Sequence, residues 1–206
     1  QDVETLIRRA ITARHHAKES IGRHKFQFYA QEMNSQSFQK LKLQAQLRES
    51  IENDELILHY QPAFDIESGR IVTIEALIRW QHPDLGLLEP LKFIPMAENT
   101  GFINEIGNWV LRQASTQIKY WVDQGLSDVR MAINLSAIQL KSHSLKDDFL
   151  SIIKETGVDP NNLELEVTET ALMDNVEHAQ ELLQDFRKLG IHVAIDDFGT
   201  GYSSLS

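Results

Sequence analysis

Residues 191–204 read IHVAIDDFGTGYSS, and this stretch decides the fold. Its apolar beginning is typical of a buried β-strand, which ends in two adjacent carboxylates, Asp196 and Asp197, before a loop of small residues. Adjacent ionised carboxylates repel each other, and removing them from water is costly unless a cation compensates. The stretch therefore predicts a strand that delivers negative charge to a metal ion or to an Arg or Lys side chain.

Three earlier apolar runs also end in oxygen ligands. IVTIE ends at Glu75, MAIN ends at Asn134, and LELEVTE ends at Glu166 and Glu169. An all-oxygen ligand set, in a chain without Cys, suits a hard cation such as Mg²⁺, Mn²⁺ or Ca²⁺. Each residue alone could be a solvated strand or turn residue, but their recurrence at successive strand ends favours one shared site.

Helices and strands alternate in the second half of the chain. Each apolar helical pattern is followed by Gly and then by a strand. The helices are expected at 103–124, 145–156 and 175–189, and the strands at 129–135, 163–168 and 191–196. Such alternation implies parallel strands with right-handed crossovers.

Two further strand-like segments, 56–65 and 70–80, come before this alternation. The turn between them, 66–69, is too short for a parallel crossover, so we expect an antiparallel hairpin. An open sheet would spread the oxygen ligands apart, whereas a (β/α)8 barrel collects strand ends at one mouth. The sequence therefore favours an α/β fold, an incomplete TIM-like barrel with an antiparallel first strand.

Side chains of the segment 70–80 alternate between two faces. Glu75, Leu77 and Arg79 share one face, and the other face is entirely apolar and is expected to meet helices. Gln61, on the paired strand, could point to the same cavity as Glu75. A purely structural ion pair between Glu75 and Arg79 is the alternative interpretation.

Composition limits the function classes. The chain has 206 residues and a formal charge of −10, which opposes non-specific binding to DNA, RNA or anionic membranes. No apolar run approaches the roughly 20 residues of a membrane span, and the absence of Cys fits a reducing compartment such as the cytoplasm. The start at Gln1 and the stop at Ser206 within a loop suggest a fragment, with any membrane anchor outside it.

Two metal ions bridged by a carboxylate can activate water and stabilise both oxygens of an in-line displacement at phosphorus. Adjacent Asp196 and Asp197 suit this arrangement, and Arg79 could bind a phosphate oxygen. Metal-dependent phosphodiester hydrolysis is therefore the leading chemistry. A sugar-phosphate isomerase or aldolase barrel would use similar parts, and spacing alone leaves both open.

Six spaced motifs resemble the EAL domain family, the cyclic di-GMP phosphodiesterases. They are YQP at 60–62, EALIRW at 75–80, FIPMAE at 93–98, NLS at 134–136, EVTE at 166–169 and DDFGTG at 196–201. The resemblance implies a modified (β/α)8 barrel that uses Mg²⁺ or Mn²⁺ to open cyclic di-GMP to linear pGpG in bacterial signalling. It also implies a homodimer formed through this domain.

The resemblance also implies roles for individual residues. The metal ligands would be Glu75, Asn134, Glu166, Asp196 and Asp197. Glu169 would anchor the loop 197–204, which links the metal site to dimerisation in this family. The nucleotide would be lined by Gln61, Leu77, Arg79 and Pro95. The family continues with a Lys, a Glu and a Gln beyond this loop, so a catalytically silent cyclic di-GMP receptor is the alternative function.

The N-terminal residues resemble the last helix and strand of a GGDEF (diguanylate cyclase) domain. Helical spacing predicts helices at 2–21 and 35–53, with a short aromatic strand at 25–29 between them. The expected organisation is a GGDEF remnant at 1–34, a linker helix at 35–54 and a truncated EAL domain at 55–206.

Overall fold

The computed structural model describes residues 2–19, 28–29, 31–126, 128–173 and 175–196. The chain divides into two compact units, Gln1–Glu49 and Ser50–Ser206, and each is described here by itself. The boundary lies close to the predicted end of the linker helix. The assignment of the first unit to a GGDEF remnant and a linker stays a prediction.

The first unit contains two helices, α1 (Val3–Glu19) and α2 (Gln31–Glu49), which pack against each other. Helix α1 confirms the predicted helix at 2–21. Helix α2 begins and ends about one turn earlier than the predicted 35–53, because Ile51 does not continue it. Of the predicted strand at 25–29, residues 25–27 lie outside the described residues, and the described residues Phe28 and Tyr29 are not assigned to a strand.

The second unit is built around one mixed sheet. Its strands are β1 (Leu56–Phe64), β2 (Ile71–His82), β3 (Gly86–Leu88), β4 (Arg130–Leu135), β5 (Leu163–Thr168) and β6 (His192–Asp196). They lie in the order β1-β2-β4-β5-β6, and β3 pairs with β2. The predicted hairpin is confirmed, because β1 and β2 are antiparallel, and β2, β4, β5 and β6 are mutually parallel as the alternation indicated.

Among the described residues of the second unit, six α-helices alternate with or follow the strands. They are α3 (Pro90–Thr100), α4 (Ile103–Asp123), α5 (Ala137–Leu140), α6 (Leu145–Thr156), α7 (Glu169–Met173) and α8 (Val176–Lys188). The three helices predicted from apolar spacing, α4, α6 and α8, are confirmed to within one residue at each end. Sequence patterns missed α3, α5 and α7, because α5 and α7 are too short to show a period and α3 contains Pro95.

The apolar face of β2 forms part of the core. Ile74, Ala76, Ile78 and Trp80 are buried, and this strand packs against α3 and α4. Trp80 is fully buried, and its indole Nε1 donates a hydrogen bond of 2.9 Å to Glu55 Oε2. Burial of alternate residues leaves the opposite face of β2 for Glu75, Leu77 and Arg79, as predicted.

The described helices were also compared with the requirements of a bilayer span. None of them combines the length and the apolar content that crossing a membrane needs.

Candidate functional site

Strand register places the predicted ligands on one face of the sheet. Residues that lie opposite each other on paired strands share a face, and so do residues two apart on one strand. The relevant pairs are Glu75 with Gln61 and with Ala132, Asn134 with Glu166, and Thr168 with Asp196. It follows that Gln61, Glu75, Asn134, Glu166 and Asp196 all belong to the same face.

These residues also step toward the carboxyl ends of the strands from β2 to β6. Ala132, the partner of Glu75, precedes Asn134 by two residues, and Thr168, the partner of Asp196, follows Glu166 by two. The ligands therefore run diagonally across neighbouring parallel strands. A stagger of this kind accompanies strands that tilt relative to one another, as they do in barrels.

Two of the predicted ligands are in direct contact. Asn134 Nδ2 donates a hydrogen bond of 2.8 Å to Glu75 Oε1, across 59 positions of sequence. An ionised carboxylate can only accept, so the amide turns its N–H toward Glu75 and its oxygen elsewhere. This contact fixes the orientation of both side chains and leaves the Asn134 oxygen available to a cation.

Negative charge accumulates around Glu166. Partial burial, together with the nearby carboxylates of Glu75, Asp196 and Glu164, raises the pKa of Glu166 to about 7. Glu164 itself forms an ion pair with Arg130, whose Nε lies 3.0 Å from Glu164 Oε2. Partial burial and neighbouring negative charge thus oppose ionisation of Glu166, and a divalent ion beside it would relieve the repulsion.

The chemistry of this ligand set fits Mg²⁺ or Mn²⁺, since every donor is a carboxylate or an amide oxygen. The carboxylates are close enough to influence one another's charge. Within the described ranges, however, no three His, Asp or Glu side chains form a group that could hold a metal ion. The remaining predicted ligand, Asp197, lies outside the described residues, as does the rest of the loop 197–204. Metal binding therefore stays a prediction.

The predicted nucleotide-lining residues fall into two groups. Leu77 and Pro95 line a mainly apolar cavity of about 400 Å³, and Asn134 lies on the same cavity wall. Gln61 and Arg79 do not line it. The Arg79 guanidinium donates from Nη1 to the carbonyl oxygen of Ile78 at 2.8 Å. Glu75 instead accepts from Asn134, and among the described ion pairs none joins Arg79 to Glu75.

Glu169 is the first residue of α7, directly after β5, and it is half-buried. Its predicted role is to anchor the loop that follows Asp196. Because that loop lies outside the described residues, this role stays a prediction.

Sequence reasoning missed three further residues on the cavity wall. Ser136, Gln139 and Gly107 line the cavity together with Asn134. Ser136 and Gln139 form a complete capping box at the start of α5. The spacing Ser-x-x-Gln was the signal that could have identified them, and Gly107 gave no local signal at all.

Comparison with protein families identifies residues 44–206 as an EAL domain. Among curated proteins, the chain is 40% identical over 200 residues to the bifunctional diguanylate cyclase/cyclic di-GMP phosphodiesterase MucR of Pseudomonas aeruginosa. It is 41% identical over 205 residues to the cyclic di-GMP phosphodiesterase PdeR of Escherichia coli. These alignments cover 97% and 100% of the chain, but only 29% and 31% of the two relatives.

Among solved structures, the PaMucR phosphodiesterase in complex with c-di-GMP matches with a TM-score of 0.76 and 41% sequence identity. The match covers 81% of this chain and 66% of that one. The α/β fold with its parallel sheet therefore agrees with the solved structures of EAL domains.

Proposed function

The chain belongs to the EAL domain family, and on that basis we propose that it hydrolyses cyclic di-GMP to linear pGpG with Mg²⁺ or Mn²⁺ in bacterial signalling. Relatives at about 40% identity are named as cyclic di-GMP phosphodiesterases. The chain spans less than a third of those relatives, so the activity of the whole protein is part of the proposal.

One observation carries the proposal: oxygen ligands from four strands share one sheet face and act on each other. Glu75 and Asn134 are hydrogen-bonded, and Glu75 and Asp196 both raise the pKa of Glu166. The carboxylates of Glu75 and Asp196 lie near enough to Glu166 to disfavour its ionised form, and repulsion between ionised carboxylates opposes the folded state. Concentrated perturbed carboxylates are typical of functional sites.

Glu75, Asn134, Glu166 and Asp196, together with Asp197, would hold the metal ions. When bound, the ions would activate water and stabilise negative charge on the phosphate. Asn134 would present its oxygen, since its N–H is committed to Glu75. The proton that Glu166 holds near neutral pH would leave when a cation replaces it.

The remaining side chains would bind the nucleotide. Leu77 and Pro95 offer apolar surface on which a base could be buried, next to the ligand Asn134. Arg79 shares the face of Glu75 and would direct its remaining N–H groups to a phosphate oxygen. Gln61 lies opposite Glu75 on β1 and could offer an amide to the same ligand.

The test is Mg²⁺-dependent conversion of cyclic di-GMP to pGpG by the full-length protein, followed by chromatography. Glu75→Ala is expected to abolish turnover, and the matched control Glu181→Ala removes an exposed carboxylate on α8 and should leave turnover unchanged. Tight binding of cyclic di-GMP without formation of pGpG would show that the protein is a receptor and not an enzyme. Absence of both binding and turnover would contradict the proposal.

Two further parts of the proposal concern the whole protein. We expect it to form homodimers through the EAL domain and to act in the cytoplasm. Sedimentation of the full-length protein with and without cyclic di-GMP measures the first, and fractionation of cells measures the second.

A further inference from the structure

Helix α5 begins only three residues after the ligand Asn134, so whatever holds α5 also sets where β4 ends. Its four residues are too few for a helix to be stable by itself. The capping box supplies local support: Ser136 N–H donates to Gln139 Oε1 at 3.1 Å, and Gln139 N–H donates to Ser136 Oγ at 3.3 Å. Gln139 therefore closes the turn that leaves the ligand strand.

Gln139 is unusual because its polar side chain is 4% exposed. Its carboxamide lies directly against Gly107 of α4. A Cβ atom built at Gly107 would be 1.9 Å from Gln139 Nε2 and 3.0 Å from its Cδ, which no side chain could tolerate without movement. Gly107 thus forms a slot into which the Gln139 carboxamide fits.

Glycine at position 107 lowers the stability of helix α4, and the contact with Gln139 explains why a glycine is present there. Gly107 is inside the long helix α4, where Gly is about 1 kcal/mol less favourable than Ala. A positive φ is not the reason, because Gly107 is not among the residues with that conformation. The close approach of Gln139 is the structural feature that favours Gly, because a Cβ at this position would displace the carboxamide.

We propose that Gln139, seated against Gly107, is a positioning residue for Asn134. The carboxamide accepts the Ser136 N–H just after β4 and packs against Gly107 of α4. In this role it holds Asn134 in the direction that keeps its Nδ2 on Glu75 Oε1. Gln139 does not touch the nucleotide or the metal in this role. The metal-binding part of the inference rests on the proposed function, while the orientation of Asn134 does not.

The first experiment is Mn²⁺ titration of the metal-free full-length protein, followed by electron paramagnetic resonance. Gln139→Met fills the slot but cannot accept the Ser136 N–H, and is expected to weaken Mn²⁺ binding by about 10- to 100-fold, as loss of residues that orient metal ligands does. Gln139→Glu keeps the accepting oxygen and should retain most of the affinity.

The control is Asp159→Ala, which removes the cap of the 3₁₀ turn Pro160–Asn162 before β5. Asp159 lies at the amino end of the neighbouring strand, away from the ligands. The Asp159→Ala variant is expected to have a lower melting temperature and an unchanged Mn²⁺ affinity. Equal Mn²⁺ affinity in Gln139→Met and wild type, with only a lower melting temperature, would make Gln139 purely structural and overturn the inference.

Gly107→Ala tests the slot itself. Its methyl group would displace the carboxamide and weaken Mn²⁺ binding in the same direction as Gln139→Met. In a Gln139→Ala background the obstacle is gone, so the same substitution should have little effect, and the two changes should be strongly non-additive. Additive losses would show that the two residues act independently and would contradict the slot.

A second readout needs no metal. The side-chain amide resonance of Asn134 reports its hydrogen bond to Glu75 in the metal-free protein. It should shift in Gln139→Met and Gly107→Ala but not in Asp159→Ala. If wild type binds no Mn²⁺, the proposed function loses its metal site and the amide resonance alone decides the inference; an unmoved resonance would refute it.

Discussion

Two carboxyl groups of the same α/β unit have opposite surroundings. Asp185 on α8 lies 2.7 Å from Lys146 Nζ and 2.9 Å from Lys188 Nζ, and hydrogen bonds with these lysines lower its pKa to about 2. Glu166 on β5 is partly buried beside other carboxylates, and the burial together with their negative charge raises its pKa to about 7. The carboxylate on the helix is thus paired with two lysines, whereas the carboxylate on the sheet face lies beside groups of its own charge.

This contrast indicates where the molecule gives up stability for function. A carboxylate paired with cations favours the folded state, and one crowded by like charges opposes it. Arg112 with Glu155 and Lys119 with Asp123 repeat the first pattern on other helices. Three substitutions, considered from the largest expected effect to the smallest, would sharpen or break the contrast.

Glu166→Gln should have the largest effect. Under the proposed function, this substitution removes a metal ligand. Loss of a residue that only orients a metal ligand reduces activity about 10- to 100-fold, and the loss of turnover in Glu166→Gln should be larger. In the metal-free protein the substitution should stabilise the fold at pH 8 by about 1 to 2 kcal/mol, a value reduced for solvent screening. Urea unfolding with EDTA measures this gain.

The pH dependence of the stability gained by Glu166→Gln follows from the direction in which folding shifts the pKa of Glu166. The pKa of Glu166 rises from 4.5 to about 7 on folding, so its contribution is fully present below pH 4.5 and is lost as pH rises through 7. Gln carries no charge, so the stabilisation by Glu166→Gln should be small at pH 5 and largest above pH 7. A gain that is equal at both pH values would show that burial and the neighbouring carboxylates do not raise the pKa of Glu166.

Asn134→Asp should have the next largest effect. It replaces the hydrogen bond to Glu75 with a contact between like charges, at a cost of about 1 to 3 kcal/mol in the metal-free protein. Mg²⁺ should restore the lost melting temperature. The control is Asn162→Asp, since Asn162 Nδ2 donates to the carbonyl oxygen of Val129 at 3.2 Å and lies at the other end of the sheet. Mg²⁺ should not restore the melting temperature that Asn162→Asp loses. If Mg²⁺ raised the melting temperature of both variants equally, the result would contradict a metal site at Asn134.

Asp185→Asn should have the smallest effect, because its ion pairs are partly exposed and screened by water. The pKa of Asp185 is lowered from 3.8 to about 2, so its stabilisation is present above pH 4 and is lost as pH falls through 2. A small drop in melting temperature at pH 7 should therefore disappear near pH 2. Thermal melts across this range measure it, and a drop that persists at pH 2 would assign the effect to packing.

Much of the fold could be predicted because its signals are local. Apolar spacing and a following Gly identified α4, α6 and α8, and period-two alternation identified the faces of β2 and β5. The short turn 66–69 identified the antiparallel hairpin. The elements that were missed either contain Pro, as α3 does, or are too short to show a repeated pattern, as α5, α7 and β3 are.

The sequence by itself determined which residue types end each strand, and therefore the candidate ligands and the family. Only the tertiary structure decided that Asn134 turns its amide to Glu75, that Leu77 and Pro95 share a cavity, and that Gln139 fits against Gly107. The physical reason is range. Periodicity and turns depend on neighbours along the chain, whereas strand stagger and close approach depend on packing between segments that are distant in sequence.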